Sequence, residues 1–152
     1  MQKFKHAFTM VELVFVIVIL GILAAVAIPR LAATRDDATI AKGRADIASI
    51  RSAIATERQA RLIKGMSTYV PNGAGTYTGT DGNTYNQMDR NGLFGGILTY
   101  PIVAASAGDD GWSSATSGTY TYTVSGTATT FDYNTTTGRF TCSGTYCSQL
   151  TD

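Results

Sequence analysis

Glu12 is the residue whose position makes the strongest chemical demand. It is the one charged side chain in an otherwise apolar run from Phe8 to Ile28, FTMVELVFVIVILGILAAVAI. A run of about 20 apolar residues is long enough to span a bilayer as a helix. A carboxylate inside such a run is costly and marks a contact with a partner. Cys142 and Cys147 form a second candidate pair. In an exported domain so close a pair is expected to form a disulfide. The alternatives are free thiols or half a metal site, but no further Cys and no nearby His completes a zinc set. Asp109 and Asp110, in Gly108-Asp109-Asp110-Gly111-Trp112, form a third. Two adjacent carboxylates in a Gly-flanked stretch read as a solvated turn. His6 is the only histidine, which leaves no Ser-His-Asp or Cys-His arrangement in the body of the chain. No Walker loop or dinucleotide fingerprint is present. These residues point away from an enzyme.

The elements that position these residues follow from composition and periodicity. The chain has 152 residues and a net charge of +1, which suggests one modest domain and gives no global case for nucleic-acid binding. Charge is unevenly placed, however. Arg30 to Lys64 carries eight basic against four acidic residues, and Gly65 to Asp152 carries two basic against six acidic. A basic middle and an acidic end can attract each other within one copy or between copies.

Leu31 to Lys64 contains no Pro and only Gly43 as a breaker. Ile40, Ile47, Ile50 and Ile54 share one face of a helix, which Ala41, Ala45 and Ala48 are expected to widen. Arg44, Arg51 and Arg58 form a basic stripe beside it. That stripe is either solvated, with local pairs such as Glu57 to Arg61, or paired with acidic heads of adjacent subunits. Gly65, preceded by Lys64, is a suitable helix end. Continuous from Phe8, such a helix is about 85 Å long. Its first part must lie in lipid or against other copies, while its second can lay the isoleucine face on a sheet.

Residues 65–152 turn rich in Thr, Gly, Ser and Tyr, a composition of strands and turns. Ser67–Arg90 reads as an irregular loop, and Leu93–Val103 as apolar chain packed under the helix. Thr119–Val124, Thr129–Tyr133 and Arg139–Cys142 read as a three-stranded meander. Tyr120, Tyr122, Val124, Phe131, Tyr133 and Phe140 are its candidate core. The class is α+β.

Residues 1–30 carry a further pattern. Lys3, Lys5 and His6 precede Phe8, Glu12 lies four residues beyond Phe8, and the apolar run ends at Pro29. This order resembles the N-terminal signature of type IV pilins and type II secretion pseudopilins. The resemblance implies a pilin-like fold, with a leader at 1–7, a membrane-spanning and polymerisation helix at 8–30, an amphipathic helix at 31–64 and a β-rich head at 65–152. It implies that prepilin peptidase cuts between Ala7 and Phe8, where the family usually has Gly before the cut, and that Phe8 is then N-methylated. Glu12 would pair with the new amine of a neighbouring subunit, or alternatively with its own. Gly21 and Pro29 would bound a segment able to lose its helix in the fibre, or simply curve in the membrane.

The rival reading of this region is an ordinary signal peptide cut after Ala25-Val26-Ala27. Glu12 and Pro29 argue against it. A plain uncleaved anchor is the third possibility. With so short a leader, the N-terminus is expected in the cytoplasm, at the bacterial inner membrane, with the head in the periplasm.

The resemblance further implies polymerisation with copies of itself and other pilin-like subunits, residence in the lipid bilayer before assembly, and an assembly platform with a cytoplasmic ATPase. The DDGW turn leans toward a secretion pseudopilus, and its calcium-binding counterpart in that family makes Asp109 and Asp110 calcium candidates. The Cys142 and Cys147 pair leans toward a pilus. The alternative function is a monomeric, membrane-anchored or secreted binding domain.

Overall fold

The first helix is capped by its own sequence. Thr9 Oγ1 accepts a hydrogen bond from the Glu12 backbone N–H at 3.2 Å. Thr9 and Glu12 therefore stand in the spacing of a capping box, with an acidic residue in the first turn. In this computed structural model, which describes residues 8–70, 77–78, 84–85, 88–89, 92–106, 108–116 and 118–152, helix α1 extends over Met10–Ile63. It ends as expected at Gly65. That residue has φ of 78°, Met66 N donates to Arg61 O at 2.9 Å and Gly65 N to Leu62 O at 3.0 Å. This is a Schellman cap, which satisfies carbonyls that the helix leaves open.

The chain divides into two units, Met1–Asp37 and Ala38–Asp152. In the first, every side chain from Phe8 to Leu31 is exposed. In the second, α1 buries Ile47, Ile50 and Ile54, and Ile40 packs partly against the same core. Ala41, Ala45 and Ala48 are exposed, so the expected widening of the apolar face does not occur. The neighbouring positions that turn inward are Gly43 and, partly, Asp46.

The head is built on a four-stranded antiparallel sheet in the order β3-β4-β5-β6: Gly111–Thr116, Thr119–Val124, Thr127–Tyr133 and Phe140–Ser143. A short pair, β1 (Tyr77–Thr78) and β2 (Thr84–Tyr85), lies in the stretch read as an irregular loop. A terminal helix α2, Cys147–Thr151, buries Leu150. The meander is recovered, with one strand more than the sequence suggested. Strand β3, GWSSAT, has too many small polar residues to show apolar alternation, yet it pairs Trp112 with Tyr122. Alternation in β4 places Tyr120, Tyr122 and Val124 on the core face, as period-two patterning requires. Phe131, Tyr133 and Phe140 join them from β5 and β6.

One buried carboxylate and one aromatic ring lock this core. Asp89 is buried; its Oδ1 accepts from Phe94 N and its Oδ2 from Tyr120 Oη, both at 2.9 Å. Phe94 is held at φ of 59°, a region that costs a non-glycine residue energy. Its ring packs on Trp112, Tyr120 and Phe140 with centroids 4.2 to 5.7 Å apart. Within the apolar loop, Leu93 and Phe94 are buried, whereas Tyr100 and Val103 face solvent.

Candidate assembly site

The N-terminal unit presents one carboxylate in an apolar helix. Glu12 is exposed, and its backbone is held by Thr9. The T-x-x-E spacing of Thr9 and Glu12 that fixes this turn is legible in the sequence itself. α1 passes through both Gly21 and Pro29 without interruption in the single chain. A lone proline removes one backbone hydrogen bond and crowds the carbonyl four residues earlier, and the turns on either side remain helical. An 18-residue window of α1 has a mean hydropathy of 3.0, which makes the helix long and apolar enough to cross a membrane. Ala7, the residue before the expected cut, and His6 lie outside the described residues. Phe8 is described and exposed.

The head holds its half of α1 by contacts that the sequence did not reveal. Tyr122 Oη donates to Thr39 O at 2.7 Å, and Trp112 Nε1 donates to Asp46 Oδ2 at 3.0 Å. Gly43 lies between these two anchors. A Cβ there would stand 2.7 Å from Tyr122 Cε1 and 2.8 Å from Leu150 Cδ2. The single glycine of this helical segment is what lets sheet and helix approach. Burial pushes the Asp46 carboxyl up, against the opposing pull of the Trp112 hydrogen bond and Lys42. Burial, reinforced by Asp46 and Asp110, pushes the Tyr122 phenol up to about 12.

The remaining candidates separate. Cys142 and Cys147 are joined in a disulfide that connects β6 to α2. Asp109 and Asp110 are exposed on the turn before β3, and Asp110 Oδ1 accepts from Gly126 N at 3.4 Å. Among the described residues, no group of three or more His, Cys, Asp or Glu side chains converges. Of the arginine stripe, Arg44 binds Gln149 O and Arg58 binds Ser67 O. The Arg58 guanidinium also lies 4.3 Å from the Tyr69 ring centroid. The local pair Arg61–Glu57 forms at 3.2 Å.

Residues 2–28 match the family model described as the prokaryotic N-terminal methylation motif. The chain carries the type IV pilin and pseudopilin signature. The match takes in residues 2–7, Phe8, Glu12 and nearly all of the exposed apolar helix. No curated protein and no solved structure matches the chain. The signature implies a structural protein that is trimmed by prepilin peptidase and associates with other pilin subunits. With the apolar helix, it points to a membrane-anchored, pilin-like precursor.

Proposed function

We propose that this chain is the structural subunit of a type IV pilus or a type II secretion pseudopilus. It is made as a single-pass precursor in the bacterial inner membrane, with the head in the periplasm. Prepilin peptidase cuts between Ala7 and Phe8, and Phe8 is N-methylated. An assembly platform and its ATPase then draw the subunits from the bilayer into a fibre.

One observation carries the reading: the methylation motif coincides with a helix whose side chains from Phe8 to Leu31 are all exposed. Lipid covers such a surface before assembly, and other copies cover it afterwards. Glu12 is the register device. In the precursor the Phe8 nitrogen belongs to a peptide bond, so its positive charge exists only after the cut. A carboxylate paired with a cation loses much of its penalty in apolar surroundings. The neighbour's Phe8 amine is the proposed partner. Loss of helix between Gly21 and Pro29 belongs to the assembled fibre.

The test is Glu12→Ala in the native host. Polymer in the sheared fraction should be lost, while the subunit stays in the membrane, trimmed at Phe8. Full polymer yield from Glu12→Ala would sink the register role. Fibres at the cell surface distinguish the pilus, and a secretion defect on deletion distinguishes the pseudopilus.

A further inference from the structure

Among the described residues, the Arg61–Glu57 salt bridge lies within the basic middle and does not join it to the acidic end. Arg51, Ile54, Gly138, Arg139, Phe140 and Thr141 line a cleft of about 300 Å³. Arg51 and Arg139 are both exposed, and neither guanidinium has a hydrogen-bonding or ion-pair partner among the described residues. The other arginines of the stripe are engaged by backbone carbonyls. The Arg139 backbone is set by the β5–β6 turn, where Asn134 Oδ1 accepts from Thr136 N and Thr137 N at 2.9 and 3.0 Å. A Cβ on Gly138 in this turn would stand 2.2 Å from the Tyr69 ring. Two arginines thus line one cleft together with the Thr141 hydroxyl, a set of groups suited to carboxylates.

Asp109 and Asp110 lie at the other end of the sheet, whereas Asp132, which pairs with Thr141 at the cleft's own end, has its Oδ1 engaged by Thr119 Oγ1 at 2.8 Å. Gly111 pairs with Thr123, beside the β4–β5 turn, whereas Phe140 pairs with Tyr133 at the far end. Asp109 and Asp110 are therefore separated from Arg139 by the length of β4, on the order of 17 Å. No ion pair within one head can join them. The direction is also fixed relative to α1. The acidic end packs near Thr39 and Asp46, through Tyr122 and Trp112, and the basic cleft includes Arg51 and Ile54. A second copy displaced along the helix axis brings its acidic end to the first copy's cleft. Contacts between different patches on identical chains do not close on themselves, and they build open filaments.

We propose that the Arg51/Arg139 cleft receives Asp109 and Asp110 of the next copy, as a head-to-tail electrostatic contact that aligns heads in the polymer. This rests on the polymer reading above and supplies a contact for the head, as Glu12 does for the anchor.

The experiment is charge reversal in the full chain. Arg51→Glu with Arg139→Glu, and separately Asp109→Lys with Asp110→Lys, should each lower sheared polymer about tenfold, because like charges then meet. Membrane level, trimming and the melting of the head should stay unchanged. All four substitutions in one chain should restore polymer. Unchanged polymer in either double variant, or no restoration in the fourfold variant, overturns the contact. A second measurement does not depend on charge. Arg139→Cys with Asp110→Cys should give an interchain disulfide ladder in oxidised fibres, and monomer alone counts against the contact. Wild-type chains that form no polymer overturn this contact together with the subunit reading. Wild-type polymer with indifferent variants overturns the contact alone.

Discussion

The two ends of α1 share a backbone conformation and differ in where their partners come from. From Ala38 onward the helix buries Ile47, Ile50 and Ile54 against aromatic residues of its own chain. From Phe8 to Leu31 it is more apolar and buries nothing. Hydrophobicity alone therefore does not place a residue in the core; the chain must also supply a complementary surface. The N-terminal part carries its own cap and its motif, and its side chains from Phe8 to Leu31 are exposed. Folding stability and assembly should accordingly be separable by mutation.

The largest effect should come from truncation in the head. Ile50→Ala removes a fully buried side chain and should cost about 2–5 kcal/mol, read as a lower melting temperature in detergent. The matching change Ile17→Ala, at an exposed site, should leave the same transition within about 0.5 kcal/mol. Equal losses would erase the contrast. Leu20→Asp sharpens it from the other side. It should penalise membrane insertion by about 3 kcal/mol, seen in the fraction of chain recovered in membranes, without changing the melting of the head.

Smaller effects test the devices that hold the head to its half of the helix. Cys142→Ser with Cys147→Ser should cost about 2 kcal/mol for so short a loop. Tyr122→Phe removes the hydrogen bond to Thr39 and should cost about 1 kcal/mol. It should also change the alkaline limb of stability. The Tyr122 phenol is raised from the ordinary tyrosine value of 10.0 to about 12, so the unfolded chain ionises first. Stability is full below pH 10 and falls as pH rises toward 12. Thermal melts across that range should show a shallower fall in Tyr122→Phe.

Asp46 has the same sign. Its raised carboxyl pKa means that its contribution is full below its ordinary range and is lost as pH rises through the folded value. Asp46→Asn keeps an acceptor for Trp112 and should flatten that slope in acid melts.

Much of this was legible in the sequence because periodicity and punctuation are local. The 7, 3 and 4 spacing of the isoleucines, the Thr–Tyr alternation of β4 and the glycine stop at 65 each appear in a short window. What escaped depends on distant contacts. By local pattern Gly43 is a helix weakness, whereas in the fold Tyr122 and Leu150 pack against it. Asp89 looked like a loop carboxylate, yet it fixes Phe94 and Tyr120. Strand β3 is recruited by pairing, with Trp112 as its only large apolar residue. At the N-terminus, the order of charge, Phe8, Glu12 and apolar run was legible, because it too falls within a short window.

The central claim is that the N-terminal helix is the polymerisation element of a processed subunit. Mass spectrometry of the N-terminal peptide from sheared native fibres tests it most directly. The account predicts a chain beginning at Phe8 with one added methyl group. A chain beginning at Ile28 would contradict it, because the helix that makes the fibre would have been removed as a signal peptide.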